Sequence, residues 1–247
     1  MNKYVLQHRV KKIAGKSQFT KVLADFLSMI YLLTLVLKPR KFPYTNTLCA
    51  MKKEKRMNPI LLFEKWFNEE KKVSDLKLPA ACCLSTIGLD GYPNSRFVSL
   101  KEVSNESFVI TGPLSSRKGR EIENNPKAAL SFWWISTERQ IRIQGDVSKI
   151  SKPNAKIYFE QRNRDSKIVS TVFEQGRKIQ SIANLQKLFK EQKEVLEHKE
   201  INCPENWGGI NIKPIRIEFM EFKKSRLHER TLYELANNNW EITILQP

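Results

Sequence analysis

The chain has 247 residues, 40% hydrophobic and 28% charged, the balance of an ordinary globular protein and enough length for one large domain or two small ones. Its formal net charge is +17, but residues 1–57 hold thirteen Lys/Arg against only Asp25 and Glu54, so +11 lies there and +6 in the remaining 190 residues. That distribution argues against nucleic-acid binding by the folded part; and because Cys49, Cys82, Cys83 and Cys203 form no C-x-x-C pair, they read as free thiols in a reducing compartment, not as a disulfide frame or zinc site.

Residues 1–57 read as a basic extension. Within it, residues 22–37 form an apolar run, a little short for a membrane span and interrupted by Asp25. An organellar targeting segment, a signal anchor and a poorly ordered extension compete; with no small-residue cleavage pattern, a secretory signal is least favoured. The expectation is a dispensable or targeting extension on a cytoplasmic protein, with a mitochondrial location as the alternative and membrane contact through 22–37 disfavoured.

The fold is expected over 58–247. Asn58-Pro59 starts a helix, with a capping side chain followed by proline at the first helical position. Apolar residues then recur at helical spacing through Lys72. Ala80–Leu89 and Asn94–Val103 read as strands joined by a tight Asp90-Gly91 turn. Phe108–Thr111 is a short strand, Ser115–Asn124 a helix stopped by Pro126, and Ala128–Ile135 and Arg139–Ile150 are strands. Pro153–Arg162 and Lys178–His198 read as helices, and Gly209–Phe222, Arg226–Leu235 and Trp240–Leu245 as closing strands. Without regular βαβ alternation, this pattern predicts a mainly β fold with peripheral helices: an antiparallel barrel, not a doubly wound sheet.

Four segments hold candidate chemistry. Arg226, His228 and Arg230 would line up on one face of an extended strand. Such a row suits an anion opposite it, or a solvated edge that blocks unwanted pairing. Ser115-Ser116-Arg117-Lys118-Gly119-Arg120 opens a helix with cations at its positive end. Helix amides with Arg117 and Lys118 would make a phosphate site; the plainer reading is a basic turn offset by Glu121 and Glu123. Tyr158 and Arg162 share a helix face, with Arg164, Asp165 and Ser166 where that helix ends. Together they could hold a second phosphate, or simply cap the helix beside a surface ion pair. Arg96 and Lys101 stand at opposite ends of R-F-V-S-L-K, on opposite faces of a regular strand; only a bulge or backbone contacts would let both reach one ligand. Gln140 could make an ordinary cross-strand bond or read a polar ring edge. No G-x-G-x-x-G, P-loop or G-x-S-x-G is present, and His8, His198 and His228 lack metal-ligand spacing.

Taken in order, R-F-V-S-L-K (96–101), S-R-K-G-R-E-I-E-N-N-P (116–126), E-R-Q-I-R-I-Q-G (138–145), Y-F-x-x-R-x-R-D-S (158–166), N-W-G-G (206–209) and R-L-H-E-R (226–230) with a terminal W…L-Q-P resemble the pyridoxine/pyridoxamine 5′-phosphate oxidase family. The likeness runs from Asn58 to the C-terminus. It implies an FMN-binding split β-barrel, a homodimer with FMN at the subunit interface, and oxidation of a phosphorylated B6 vitamer to pyridoxal 5′-phosphate with O2 as the final acceptor. By the resemblance, Arg96, Phe97, Val98, Ser99, Leu100, Lys101, Ile110, Thr111, Arg117, Lys118, Gln140, Gln175, Gly176, Met220 and Arg230 fall at flavin contacts. Lys101, Tyr158, Arg162 and Ser166 fall at the substrate-phosphate cradle, and Arg226 and His228 flank the substrate ring as the catalytic pair.

The sequence departs from the family in places. Met220 stands where the family usually has tryptophan, followed by Glu221-Phe222 in place of a glycine pair; Gln175-Gly176 loses a hydroxyl; Val169 and Ser170 replace small residues; Glu229 replaces an aspartate. The N-terminal segment that helps close over substrate in the family has no clear counterpart. These departures imply weaker flavin binding. They keep open a non-catalytic pyridoxal-phosphate carrier or sensor, and, behind it, a flavin reductase acting on another substrate.

Overall fold

The computed structural model describes residues 58–247 apart from Lys77 and Asn105; the basic extension and its apolar run lie outside the described residues. Asn58 caps the first described helix, as read from sequence. Its side chain accepts from the Ile60 amide at 2.8 Å, and α1 (Pro59–Val73) follows. The helix buries Ile60, Leu62, Phe63 and Trp66. Phe63 meets Phe108 and Phe132 edge-on, with ring centroids 4.8 and 5.1 Å away, and Trp66 meets Phe219 at 5.1 Å. α1 therefore packs on three strands at once. Phe63 has no exposed surface, so truncation to alanine is expected to cost about 3–5 kcal/mol. At the other end of α1, buried Glu70 accepts from the Thr137 amide at 3.0 Å and its hydroxyl at 2.8 Å, pinning the turn after β4.

The strands are β1 (Ala81–Ile87), β2 (Pro93–Ser104), β3 (Ser107–Pro113), β4 (Lys127–Trp134), β5 (Arg139–Lys149), β6 (Trp207–Glu221), β7 (Glu229–Ala236) and β8 (Asn239–Leu245). All pairs are antiparallel in the order β3-β2-β1-β4-β5-β6-β7-β8, and β3 also pairs with β6. That extra pairing closes six strands into a barrel and leaves β7–β8 as an extension. The length of β6 makes this possible: Trp207–Ile212 pair with β3, while Arg216–Glu221 pair with β7. Pro214, which lacks a ladder donor, lies at the register shift opposite Gln144/Gly145, a position where a strand tolerates proline. Leu84, Leu130, Ile141, Ile143, Ile212 and Ile217 fill the interior.

The helices sit between strands: α2 (Arg117–Asn124) after β3, and α3 (Lys152–Glu160), α4 (Arg164–Val172) and α5 (Ile182–Val195) between β5 and β6. A second small core of Ala155, Phe159 and Trp207 fixes α3 against the start of β6.

The structure corrects three readings. The long helix is shorter than 178–198, running only over Ile182–Val195. Arg164-Asp165-Ser166 do not trail off α3 but form the first turn of α4, because the Asn163 side chain accepts from the Ser166 amide at 2.8 Å and restarts the helix. The last strand pair begins at Glu229, not Arg226. A turn closed by the Arg226 amide on the Lys223 carbonyl (3.0 Å) and Arg226 φ of +67° precede it. Arg226, His228 and Arg230 therefore do not form a strand row. On β1, Cys82 is buried and Cys83 half-buried, and both are free.

Candidate active site

The basic helix start becomes a defined cluster. Ser116 caps α2, its Oγ facing the Gly119 amide at 3.4 Å. Gly119 is required here, since a Cβ would sit 1.9 Å from the Leu114 carbonyl oxygen. One turn on, Glu121 is fully buried. It accepts from Thr86 Oγ1 at 2.6 Å, Asn94 Nδ2 at 2.7 Å, and Arg96 and Arg117 at 2.8 Å each. Burial works to raise its carboxyl, but the bonds from Thr86, Asn94, Arg117 and Arg96 outweigh it and hold the group down at about 2. Arg117 also reaches Asp90 at 3.0 Å. Lys118 is treated differently: it donates to Ser116 Oγ at 3.2 Å and Gln175 Oε1 at 2.5 Å, both neutral. Burial, helped by the nearby Arg96 charge, pushes its ammonium below the usual lysine range. Among the described residues no carboxylate neutralises it, so its donor set fits an anionic group such as a phosphate.

β2 supplies the link to a second cluster. Its register with β3 slips between Leu100 and Glu102. The slip lies beyond Leu100: half-buried or buried Arg96, Val98 and Leu100 still alternate with exposed Phe97, Ser99 and Lys101, and the residue it turns outward is Glu102. Lys101 Nζ lies 5.6 Å from the centre of the Tyr158 ring, and Tyr158 Oη donates to Glu102 Oε1 at 2.5 Å. Burial, then that bond, raises the phenol to about 12. Arg162 stands over Trp207 at 5.4 Å and donates to the Ser166 carbonyl at 3.5 Å and Ser170 Oγ at 3.4 Å. Its Nε is buried without a hydrogen-bond partner, and burial lowers its pKa. Arg162 stands on Trp207, and Tyr158 packs against the small core that Trp207 forms with Ala155 and Phe159, with Lys101 beside Tyr158 and Ser166 beside Arg162.

A third group crosses the sheet. Trp133, Gln140, Met220 and Arg230 stand side by side in register across β4 to β7. Arg230 is committed to Glu218, at 2.8 Å from both Nε and Nη2, and to the Gln246 carbonyl at 3.1 Å. Phe222 bridges Trp133 (4.6 Å) and His228 (4.8 Å). His228 Nδ1 accepts from the Lys223 amide at 3.1 Å, which leaves Nε2 as the nitrogen open to a ligand. Within one chain, among the described residues, no hydrogen bond or ring contact joins Arg226 or His228 to the Tyr158 cluster.

The remaining candidates are spread around these groups. Leu100 and Ile110 are buried partners across β2 and β3, so their side chains belong to the core. Val98 is half-buried against it, whereas Phe97 and Ser99 point outward. Thr111 pairs with Gly209 at the β3–β6 seam, and Gly176 takes φ +88° beside Gln175. Sequence reasoning missed Thr86, Asp90, Ser170 and Glu218 as partners of the candidate cations, Asn94 as a further donor to Glu121, and Glu102 as the acceptor for Tyr158. Only the four-residue spacing of Arg117 and Glu121 signalled its pair. A cavity of about 270 Å3 lined by Lys156, Glu160, Arg164, Lys167 and Cys203 takes in Arg164 alone of the candidate residues. Among the described residues, no cluster could hold a metal ion.

A closed six-stranded antiparallel barrel with helices inserted between strands, its cations gathered at the bulged β2 and the α2 start, is an FMN-binding split barrel. A crystal structure of PhzG from Burkholderia lata in complex with tetrahydrophenazine-1-carboxylic acid is similar, with TM-score 0.71 and 25% identity over 77% of this chain and 93% of that one. So is a pyridoxamine 5′-phosphate oxidase-related, FMN-binding protein from Nostoc punctiforme, with TM-score 0.64 and 15% identity over 78% of this chain and all (100%) of that one. Residues 69–193 match the family model described as pyridoxamine 5′-phosphate oxidase, and 207–247 that of the pyridoxine 5′-phosphate oxidase C-terminal dimerisation region. Pyridoxine/pyridoxamine 5′-phosphate oxidases from a Nostoc species and from Flavobacterium psychrophilum are 40% and 41% identical, each over 77% of this chain and 89% of the relative. The chain belongs to the pyridoxamine 5′-phosphate oxidase family.

Proposed function

We propose that the protein oxidises pyridoxamine 5′-phosphate or pyridoxine 5′-phosphate to pyridoxal 5′-phosphate with FMN as cofactor. The supporting observation is a pair of cation sites whose strongest donors are uncompensated. Among the described residues, Lys118 touches only neutral oxygens, and Arg162 donates only to a carbonyl and a hydroxyl while its Nε has no partner. One site suits the cofactor phosphate, the other the substrate phosphate. Bound FMN would supply the hydride acceptor at N5, with O2 taking the electrons on to H2O2.

The chain's own share is binding and orientation. Lys118, with Arg117 and Arg96 held by Glu121, would fix the FMN phosphate. Gln140 and Met220 would border the ring system. Lys101, Tyr158, Arg162 and Ser166 would hold the substrate phosphate, so that C4′ is placed by its distance from that anchor. Arg226 and His228 would flank the pyridine ring, His228 through Nε2. When the amine is oxidised, water releases ammonia from the product. A homodimer with FMN between subunits is supported by the match of 207–247 to the dimerisation region. The exposed aromatics Phe97 (81%) and Trp133 (50%) on the outer sheet face also support it.

The test is pyridoxal 5′-phosphate formation from pyridoxamine 5′-phosphate in air, with purified protein and saturating FMN. Product that requires both FMN and His228 supports the oxidase. The second reading, a non-catalytic pyridoxal-phosphate carrier, draws on Met220 and on Arg230 being committed to Glu218 and Gln246. Tight pyridoxal 5′-phosphate binding without product would establish it.

A further inference from the structure

We propose that Glu102 is a specificity-determining residue of the substrate cradle: its carboxylate holds the Tyr158 hydroxyl until a phosphorylated ligand displaces it. The inference rests on the cradle reading above and deepens it.

Three features of the chain lead there. The register slip between Leu100 and Glu102 breaks the alternation of β2. As a result Lys101 and Glu102 are both exposed where strict alternation would have separated them. An ammonium and a carboxylate therefore reach the same phenol, Lys101 over its ring and Glu102 at its hydroxyl. Second, a phenol has one proton to donate. At 2.5 Å from Glu102 Oε1, that proton is already used, and a phosphate oxygen can receive it only if the carboxylate leaves. Third, among the described residues no Lys or Arg forms a salt bridge with Glu102, although Glu69, Glu121, Glu123, Glu218 and Glu221 all have one. Its charge thus stands unneutralised beside the place where a phosphate would bring more of the same sign.

The consequence is selective. A phosphorylated ligand must break the Tyr158–Glu102 bond and accept a neighbouring negative charge. In return it gains Lys101, Arg162 and the freed phenol. An unphosphorylated vitamer gains none of these and has no charge for Glu102 to oppose. Glu102 therefore weakens phosphorylated ligands in particular and sets the KM of the site above what the four cradle residues alone would give.

The experiment uses the full chain loaded with FMN, as wild type, Glu102→Gln and Glu102→Ala. The Kd of pyridoxal 5′-phosphate, inorganic phosphate and unphosphorylated pyridoxal is measured by titration, and KM and kcat with pyridoxamine 5′-phosphate. Removing the charge is expected to tighten pyridoxal 5′-phosphate and inorganic phosphate by about two- to tenfold, to leave pyridoxal where it was, and to move KM more than kcat. Adding Tyr158→Phe should erase most of that gain. Equal or weaker phosphate binding in both variants would overturn the proposal, and so would an equal gain for unphosphorylated pyridoxal. The binding arms need no turnover, so a wild-type protein that binds pyridoxal 5′-phosphate without oxidising substrate defeats the proposed reaction and still decides the role of Glu102. A wild type that binds no phosphorylated ligand defeats both.

Discussion

Glu121 lies between Arg96 and Arg117 and accepts a hydrogen bond of 2.8 Å from each. One buried carboxylate thereby joins β2 to α2, and it sets the direction of two of the three cations assigned to the cofactor phosphate. The arrangement explains why a helix can open on Arg117 and Lys118 against its own dipole: the first guanidinium turns back onto the helix and onto Asp90, and among the described residues Lys118 is the one of the pair with no carboxylate partner.

Stability should therefore depend on Glu121 in acid. Its folded pKa of about 2 lies below the ordinary 4.5. The stabilisation it contributes is present above the ordinary value and is lost as pH falls from there toward 2. Glu121→Gln should flatten that part of the stability–pH curve and lower stability at pH 7 by about 1–3 kcal/mol. Thermal melts of both proteins from pH 7 to 3 check this; parallel curves would show that the carboxylate is not what the acid transition titrates.

Arg226 adopts φ +67°, a left-handed conformation that glycine takes without strain and alanine does not. Arg226→Gly should accordingly keep the melting temperature within a few degrees while turnover falls, which separates chemistry from backbone. His228→Ala should behave likewise, with turnover falling by about 100-fold or more and FMN affinity changing far less. Equal losses of turnover and FMN binding in either variant would mean that the residue holds the cofactor and not the substrate ring.

Met220 sits between Gln140 on β5 and Arg230 on β7, half-buried, where the family usually carries tryptophan. A thioether fills space but offers no indole N–H. Met220→Trp should tighten FMN by several-fold, about 1 kcal/mol, read as flavin fluorescence quenching on titration. Unchanged or weaker affinity would show that the neighbouring strands have already adjusted to methionine.

The barrel was legible because its strands alternate: Ile141 and Ile143 are fully buried between half-exposed or exposed Gln140, Arg142 and Gln144. The closure through β3–β6 was not, since nothing local says that Trp207–Ile212 and Arg216–Glu221 take different partners on the same edge. Helix α4 escaped because its cap, Asn163, comes only two residues after Gln161, which ends α3. The candidate cations were legible from motif and spacing. Their carboxylate partners were not: Glu121 meets Arg96 across 25 residues and Glu218 meets Arg230 across 12, distances at which a one-dimensional reading has no handle. The register slip at Lys101 belongs to the same class, because it depends on which residue of β3 faces which residue of β2.

The basic extension is expected to be separable from the site. The first described helix is capped from within the folded part by Asn58, whose side chain bonds the Ile60 amide at 2.8 Å, and its buried face packs on β3, β4 and β6. Removing residues 1–53 leaves several residues ahead of Asn58, so that no terminal ammonium faces the positive end of α1. The shortened chain should bind FMN with an affinity within about twofold of the full chain and melt within a few degrees of it. It should also lose +10 of net charge, since residues 1–53 hold eleven Lys/Arg against Asp25, and so elute earlier from a cation exchanger. A shortened chain that is unfolded, or that binds no FMN, would make the extension a structural part of the oxidase; one that binds FMN but turns over slowly would place part of the substrate closure within residues 1–53.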